Sequence, residues 1–461
     1  MELDLSKIKH VHFIGIGGIG ISAVARMLFL EGKNISANDL EEFEMVSNLR
    51  KLGINTTIGK DNSCIPKDVD LIVYSTAWTT LGPELLEYAK SLNTPMRTYP
   101  EMLGLISKDK YTIAVSGTHG KTTTTAMITQ ILRGANYDPT VIIGSMLVDE
   151  KSNFIAGLSK YFVVEACEYR RSFLNINPKI LIITNIDEDH LDYYKDIEDI
   201  KNAFRELAMK VPSDGYVVCN PDDKNIKDVI GGIKAKVINW QEYFDADLKL
   251  KIPGIHNKKD AAGAKAVADI LSISKNEADK YLAEFPGTWK RFEFRGRLKQ
   301  GTLLYDDYAH HPTEIKATLE GFRELYPKNG DLSADKAGWK ITVVFQPHLF
   351  SRTKLLLNDF AKSFNDADEV LILPIYYARE FDDGSISSEI LEKEINKNSQ
   401  NAKSFSDFPS LEKFLEARLD PLRHEMSSAR QVRLLEMEGR NVIVTMGAGE
   451  ASKIGDFLLK K

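Results

Sequence analysis

The chain has 461 residues, of which 43% are hydrophobic, 27% charged and 9% aromatic, the composition of a folded protein of two to four domains and not of a disordered or fibrous one. Its 60 basic and 66 acidic side chains leave a formal net charge of −6, which excludes the bulk positive field that non-specific nucleic-acid binding relies on. The cysteines Cys64, Cys167 and Cys219 are odd in number and form no CxxC pair, so they read as reduced thiols of a cytoplasmic protein and not as a zinc or redox centre.

The first element is the apolar strand HVHFIGI (10–16), which runs into Gly15-Ile16-Gly17-Gly18-Ile19-Gly20 and then the helical pattern SAVARMLFLEG. Val11 to Ala25 is almost free of charge, but its four glycines and the mixed charges before it argue against a signal peptide. Nowhere do about 18 apolar residues run together, so no membrane insertion is expected. GxGxxG between a strand and a helix lets the backbone approach a diphosphate at a helix N-terminus. Asp39 follows where a ribose-binding acid would sit. Tight strand–helix packing is the plain alternative, and a nicotinamide dehydrogenase would use the same glycines.

After the strand VDLIVYS (69–75), a second phosphate-type motif opens at YTIAVSG (111–117) and continues as Gly117-Thr118-His119-Gly120-Lys121-Thr122. Backbone amides and Lys121 suit the β- and γ-phosphates of a nucleotide, and the Thr122 hydroxyl suits Mg2+. Val115 stands where GxxxxGK[ST] has its first glycine, which argues against a standard P-loop motor or GTPase. Strand, GxxGKT and helix in this order still point to ATP or GTP.

The strand YFVVEA (161–166) brings Glu165 to a carboxyl end, where open α/β sheets bind ligands. KILIITN (179–185) brings Asn185, Asp189 and His190 to another; helix capping and solvation of Asp187-Glu188-Asp189 are the bland alternatives. TLLY is followed by Asp306-Asp307-Tyr308-Ala309-His310-His311-Pro312. Adjacent histidines on an extended segment point to opposite faces, so one metal would not easily take both. KITVVFQ (340–346) leads to His348 and Arg352, EVLILPI (369–375) to Arg379-Glu380, and NVIVTMG (441–447) to Gly447-Ala448-Gly449. The polar stretches 326–340 and 420–431 read as loops or surface helix ends. Strands apolar on both faces, alternating with helical patterns, make the class α/β.

GTHGKTTTT (117–125) resembles the ATP loop of the Mur ligase family, and HFIGIGGIGISAVARML (12–28) resembles the N-terminal motif of that family's alanine-adding branch. The match runs in motif order along nearly the whole chain. The resemblance implies three domains: a Rossmann-like UDP-sugar-binding domain (1–108), a central P-loop-type ATPase domain (109–290), and a Rossmann-like C-terminal domain (291–461) that binds the amino acid and closes over ATP. It implies ATP and Mg2+ as cofactors and UDP-N-acetylmuramate and L-alanine as substrates, joined through an acyl phosphate.

By the same resemblance the UDP-sugar falls to Gly15, Gly17, Gly18, Gly20 and Asp39, and ATP to Gly117, Thr118, His119, Gly120, Lys121, Thr122 and Thr123. Mg2+ falls to Thr122, Glu165 and His190. His256 and Asn257 of PGIHNKKDAAGAKAVA would lie near adenine, Arg291 of KRFE would reach a phosphate, and Asp306 belongs to a segment that closes over ATP. His310, His348 and Arg352 would take the amino acid. Lys121, Glu165, His190 and His348 are the catalytic set, His348 as the base for the incoming amine. Three positions depart from the family pattern: Asp260 replaces an asparagine, Leu349 a basic residue, and Glu450 an aspartate or asparagine.

Competing readings remain at this stage. A recycling ligase that adds the L-alanyl-γ-D-glutamyl tripeptide to the same acceptor would use the same chemistry. A dehydrogenase would leave 117–122 idle. A non-catalytic nucleotide-binding protein could lose Lys121, Glu165 or His190, all of which are present. Nothing in the sequence fixes the oligomeric state.

Overall fold

The computed structural model describes residues 3–147, 150, 152–191, 193–299, 301–328, 338–377, 380–419 and 440–461. Arg379, the stretch 420–431 and most of 326–340 lie outside the described residues. By their contacts the residues form two compact units, Met1–Lys249 with Lys259–Pro286, and Leu250–Lys258 with Gly287–Lys461.

The first unit holds two sheets. One is wholly parallel and contains β1 (His10–Ile14), β2 (Asn34–Asp39), β3 (Asn55–Ile58), β4 (Leu71–Tyr74) and β5 (Met96–Thr98) in the order β3-β2-β1-β4-β5. Strand order reverses between β1 and β4, and the crevice beyond the strands' carboxyl ends at such a point is where open α/β sheets take ligands. The glycine loop 15–20 leaves β1 there and enters the helix Ile19–Leu30. Gly15 has φ +82°, and a Cβ on it would stand 2.4 Å from the Trp78 indole nitrogen, so both the backbone and the space demand glycine.

The other sheet contains β6 (Tyr111–Ser116), β7 (Thr140–Leu147), β8 (Ser152–Ile155), β9 (Tyr161–Glu165), β10 (Ile180–Ile183), β11 (Tyr216–Cys219) and β12 (Lys236–Asn239), ordered β12-β11-β10-β6-β9-β7-β8. Only the β7–β8 pair is antiparallel. The central β6 is flanked by β9 and β10, so the loops after these three strands emerge side by side.

The second unit carries β13 (Glu293–Arg297), β14 (Leu303–Asp307), β15 (Lys340–Phe345), β16 (Glu369–Ile372), β17 (Ala402–Ser404) and β18 (Asn441–Met446), ordered β13-β14-β18-β15-β16-β17 with only β13 antiparallel. Side chains alternate between two cores. Leu303, Val343 and Phe345 pack on one face, Leu304, Val344 and Leu371 on the other. Burial on both faces is what makes these strands read as unbroken apolar runs. Among the described residues no helix is long and apolar enough to cross a membrane.

Candidate active site

The loop after β6 closes on the loop after β10. The Thr118 amide donates to the Asn185 carbonyl at 3.1 Å, the His119 amide to Asn185 Oδ1 at 3.0 Å, and Asn185 Nδ2 returns to the His119 carbonyl at 3.0 Å. Asp187 donates its amide to Thr118 Oγ1 at 2.9 Å. His119 Nε2 stands 3.5 Å from Asp187 Oδ2. Asn185 and Asp187 thus shape the phosphate loop. Gly120 caps the helix Lys121–Gly134 with φ +80°, and a Cβ there would meet Asp260 Oδ1 at 2.4 Å. The aspartate that replaces the family's asparagine therefore packs under the phosphate loop.

Lys121 is folded back into this loop. Its ammonium donates to the carbonyls of Gly117 at 2.6 Å and Thr118 at 3.0 Å, and lies 3.0 Å from each oxygen of the buried Glu168. Burial pulls the ammonium down, but Glu168 and Glu165 outweigh it and hold Lys121 above its ordinary value. The next side chain, Thr122, donates to Glu165 with its oxygens at 3.1 and 3.0 Å. Glu165 Oε2 also accepts the Gly144 amide of β7 at 2.8 Å. Thr123 is buried in the helix that follows.

His190, on the loop after β10, faces Glu168. With a left-handed backbone, φ +55°, it places Nε2 3.6 Å from Glu168 Oε1 and 3.8 Å from Asp189 Oδ2, and its ring lies 4.8 Å from that of Tyr169. The expected metal set is thus two adjacent groups, Thr122 with Glu165, and His190 with Glu168. Glu168 received no role from sequence reasoning; the signal was its place three residues after Glu165, on the same strand-end loop.

In the first sheet Asp39 is buried at the end of β2, and its two oxygens accept the amides of Gly17 at 2.6 Å and Leu40 at 2.7 Å. Burial pushes its carboxyl up. The spacing suggested a ribose-binding acid, and the structure places Asp39 against the glycine loop. Gly18 caps the helix Ile19–Leu30, and Gly20 lets that helix lie against the Tyr99 ring.

In the second unit, Asn257 Nδ2 turns back to the Pro253 carbonyl at 2.5 Å, and His256 lies beside Gly254, whose amide donates to Glu324 Oε2 at 3.1 Å. The Arg291 guanidinium sits 5.2 Å from the Tyr308 ring centroid and 3.7 Å from Glu314. Asp306 accepts from Thr445 Oγ1 at 2.8 Å and lies 3.6 Å from Arg295; burial pushes its carboxyl up to about 6. Asp307 accepts the amides of Phe292 at 2.7 Å and Ala309 at 2.8 Å, fixing the turn that carries His310 and His311. His310 Nδ1 stands 3.0 Å from the Tyr308 carbonyl and 3.3 Å from Glu314.

His348 and Arg352 meet. Arg352 NH1 is 3.3 Å from His348 Nδ1; a guanidinium only donates, so Nδ1 accepts and the proton of a neutral ring sits on Nε2. The ring stacks on Tyr376 with centroids 5.6 Å apart and lies 5.9 Å from His310. Tyr376 was not singled out in the sequence, where it is one of two tyrosines after an apolar run. Leu349 is buried with φ +72° and ψ 133° and donates its amide to the Tyr376 carbonyl at 2.9 Å. A conformation that side chains rarely adopt is thus held at this rim. Glu380 accepts from the Ser351 amide at 3.0 Å and its hydroxyl. Glu450 donates its amide to Gln346 Oε1 at 2.5 Å, a backbone bond that its departure from the family residue leaves intact.

Models of three families match in succession: Mur ligase family, catalytic domain, over residues 10–111; Mur ligase middle domain over 115–261; and Mur ligase, glutamate ligase domain, over 290–449. The UDP-N-acetylmuramate--L-alanine ligase of Clostridium kluyveri is 39% identical over 488 aligned positions, covering 100% of both chains. The crystal structure of UDP-N-acetylmuramate-alanine ligase MurC from Thermotoga maritima is similar with a TM-score of 0.76 and 27% identity, covering 98% of each chain. A murein peptide ligase structure from Psychrobacter arcticus shares the fold, with a TM-score of 0.67 at 21% identity and 98% coverage of each chain. Full-length identity at this level, together with three consecutive domain matches, gives the conclusion: the chain belongs to the Mur ligase family.

Proposed function

We propose that this protein is the ATP-dependent ligase that joins L-alanine to the lactyl carboxylate of UDP-N-acetylmuramate in peptidoglycan precursor synthesis, releasing ADP and phosphate. The reading rests on full-length identity to L-alanine ligases. The observation in the site that carries it is the paired arrangement of Lys121 with Glu168 and of Thr122 with Glu165 at one helix N-terminus. We take residues 1–108, 109–290 and 291–461 as its UDP-sugar, ATP and amino-acid domains.

A carboxylate is a poor electrophile, and phosphorylation by ATP turns it into an acyl phosphate that an amine can attack. Phosphoryl transfer asks the protein for positioning and charge neutralisation. The loop amides of 117–120 and the helix N-terminus receive phosphate oxygens, and Lys121 exchanges Glu168 for them. Thr122 and Glu165 are hard oxygen donors within 3.1 Å of each other, a donor set that fits Mg2+; they would hold it, where it neutralises phosphate charge. His190 stands with Glu168 to orient the reacting carboxylate. Arg352 and the Nε2–H of His348 hold the alanine carboxylate. For His348 to act as the amine's base instead, Arg352 must release Nδ1.

Phosphate release by the purified chain with ATP, Mg2+ and UDP-N-acetylmuramate tests the proposal, with L-alanine and the L-alanyl-γ-D-glutamyl tripeptide supplied in parallel. The expected result is release dependent on L-alanine. Release with tripeptide alone, or with neither, overturns it.

A further inference from the structure

Four polar side chains are buried on one face of the β1–β2 pair, where a parallel sheet calls for aliphatic residues. They are His10, His12, Ser36 and Asn38, with His12 and Asn38 fully inaccessible. Buried polar groups destabilise a core unless they are hydrogen-bonded, and these form a connected chain. His10 Nε2 is 3.0 Å from Ser36 Oγ, Ser36 Oγ 2.9 Å from His12 Nδ1, and His12 Nε2 3.2 Å from Asn38 Oδ1. Asn38 Nδ2 donates to the Gly59 carbonyl at 2.9 Å.

The direction of every bond is forced. A carbonyl only accepts, so Asn38 presents its amide nitrogen to Gly59 and its oxygen to His12. His12 therefore carries its proton on Nε2. Burial pulls this imidazole down to about 4, so at neutral pH Nδ1 is bare and accepts from the Ser36 hydroxyl. The Ser36 oxygen in turn accepts from His10 Nε2–H, and the far side of His10 lies 3.7 Å from Asp68.

The chain ends at the glycine loop. The Asn38 carbonyl accepts the Gly15 amide at 2.9 Å and the Ile16 amide at 3.2 Å, and the next residue, Asp39, accepts the Gly17 amide. A side chain gripped from both sides thus sets the carbonyl from which the loop hangs.

We infer that His12, Ser36 and Asn38 are positioning residues for the nucleotide-sugar site, fixing the backbone of Asn38 and Asp39 and through it the loop 15–20 that receives the diphosphate of the UDP-sugar. The inference rests on the ligase reading above. None of the three touches the substrate. Their effect is confined to the affinity for the UDP-sugar, because the ATP loop hangs from a different sheet.

The test compares His12→Leu, His12→Gln and Ser36→Ala in the full chain by steady-state kinetics and by calorimetric titration with UDP-N-acetylmuramate. Glutamine can place an amide nitrogen where Nε2 donates to Asn38; leucine cannot. Loss of the His12–Asn38 bond, the one of its two buried bonds that reaches the loop, predicts that His12→Leu raises KM for the UDP-sugar about tenfold. Its KM for ATP and its kcat at saturation stay within about twofold, and His12→Gln restores most of the affinity. Ser36→Ala, one bond further from the loop, gives a smaller rise. Equal rises in KM for ATP and UDP-sugar, or parental affinity in all three variants, overturn the inference. If His12→Leu does not fold, parental UDP-sugar affinity in Ser36→Ala does so. Wild-type protein that fails to bind UDP-N-acetylmuramate overturns the ligase reading instead.

Discussion

The Lys121 ammonium and the Glu168 carboxylate form a buried pair, 3.0 Å from nitrogen to either oxygen. The ammonium is thus held by the protein's own anion. Removing one member of such a pair strands the other. Lys121→Met is expected to destabilise the fold by about 3 kcal/mol and to lower kcat/KM at least about 100-fold. Adding Glu168→Gln restores most of the melting temperature and none of the activity. Thermal melts of the single and double variants check this; a double variant as unstable as the single one would show that the pair is not the cause.

Thr122 Oγ1 meets both oxygens of Glu165. Thr122→Val should raise the Mg2+ concentration for half-maximal rate by about tenfold or more, while Thr122→Ser stays close to the parent. A magnesium titration at saturating ATP decides it, and equal behaviour of the two variants would remove Thr122 from the metal site.

The Arg352–His348 contact requires a planar, donor-only group. Arg352→Lys keeps the charge but loses the fork, so KM for L-alanine is expected to rise about tenfold with kcat within about twofold. A rise in kcat at saturating alanine would instead favour His348 as the base, its Nδ1 released by the loss of arginine.

Asp306 titrates near neutrality because burial disfavours its charge. A carboxyl raised from 3.8 to about 6 contributes stability that is fully present below pH 4 and is lost as pH rises through 6. Asp306→Asn cannot ionise. It should therefore gain on the wild type between pH 4 and 6, by on the order of 3 kcal/mol, with no further gain above pH 7. Urea unfolding at a series of pH values measures the difference; a gap that shrinks as pH rises contradicts the sign.

The eight apolar runs read from the sequence each contain a strand, because β1, β4, β6, β9, β10, β15, β16 and β18 are buried on both faces and announce themselves by hydrophobicity alone. Strands such as β3, β5, β12 and β17 stayed silent; they lie at sheet edges, and at least half of each is polar. The tight loop 117–122 between β6 and its helix was legible because Gly117 and Gly120 both take a positive φ that favours glycine. Glu168 was not, since the sequence gives no means of telling which of two nearby carboxylates turns inward to Lys121. For Asp39 the spacing suggested a ribose, and the fold adds what the spacing does not show, the Gly17 amide in front of its carboxylate. Nor does any residue pattern announce that Leu349 takes a positive φ.

The functional groups stand at or beyond the carboxyl ends of strands whose bodies are sealed in apolar cores. Architecture and chemistry are therefore separable parts. If, as proposed, His348 and Arg352 hold the amino acid, then exchanging the segment 346–353 between family members, together with the Tyr376 and Glu380 contacts that hold it, moves the choice of nucleophile and leaves the sheets beneath it unchanged.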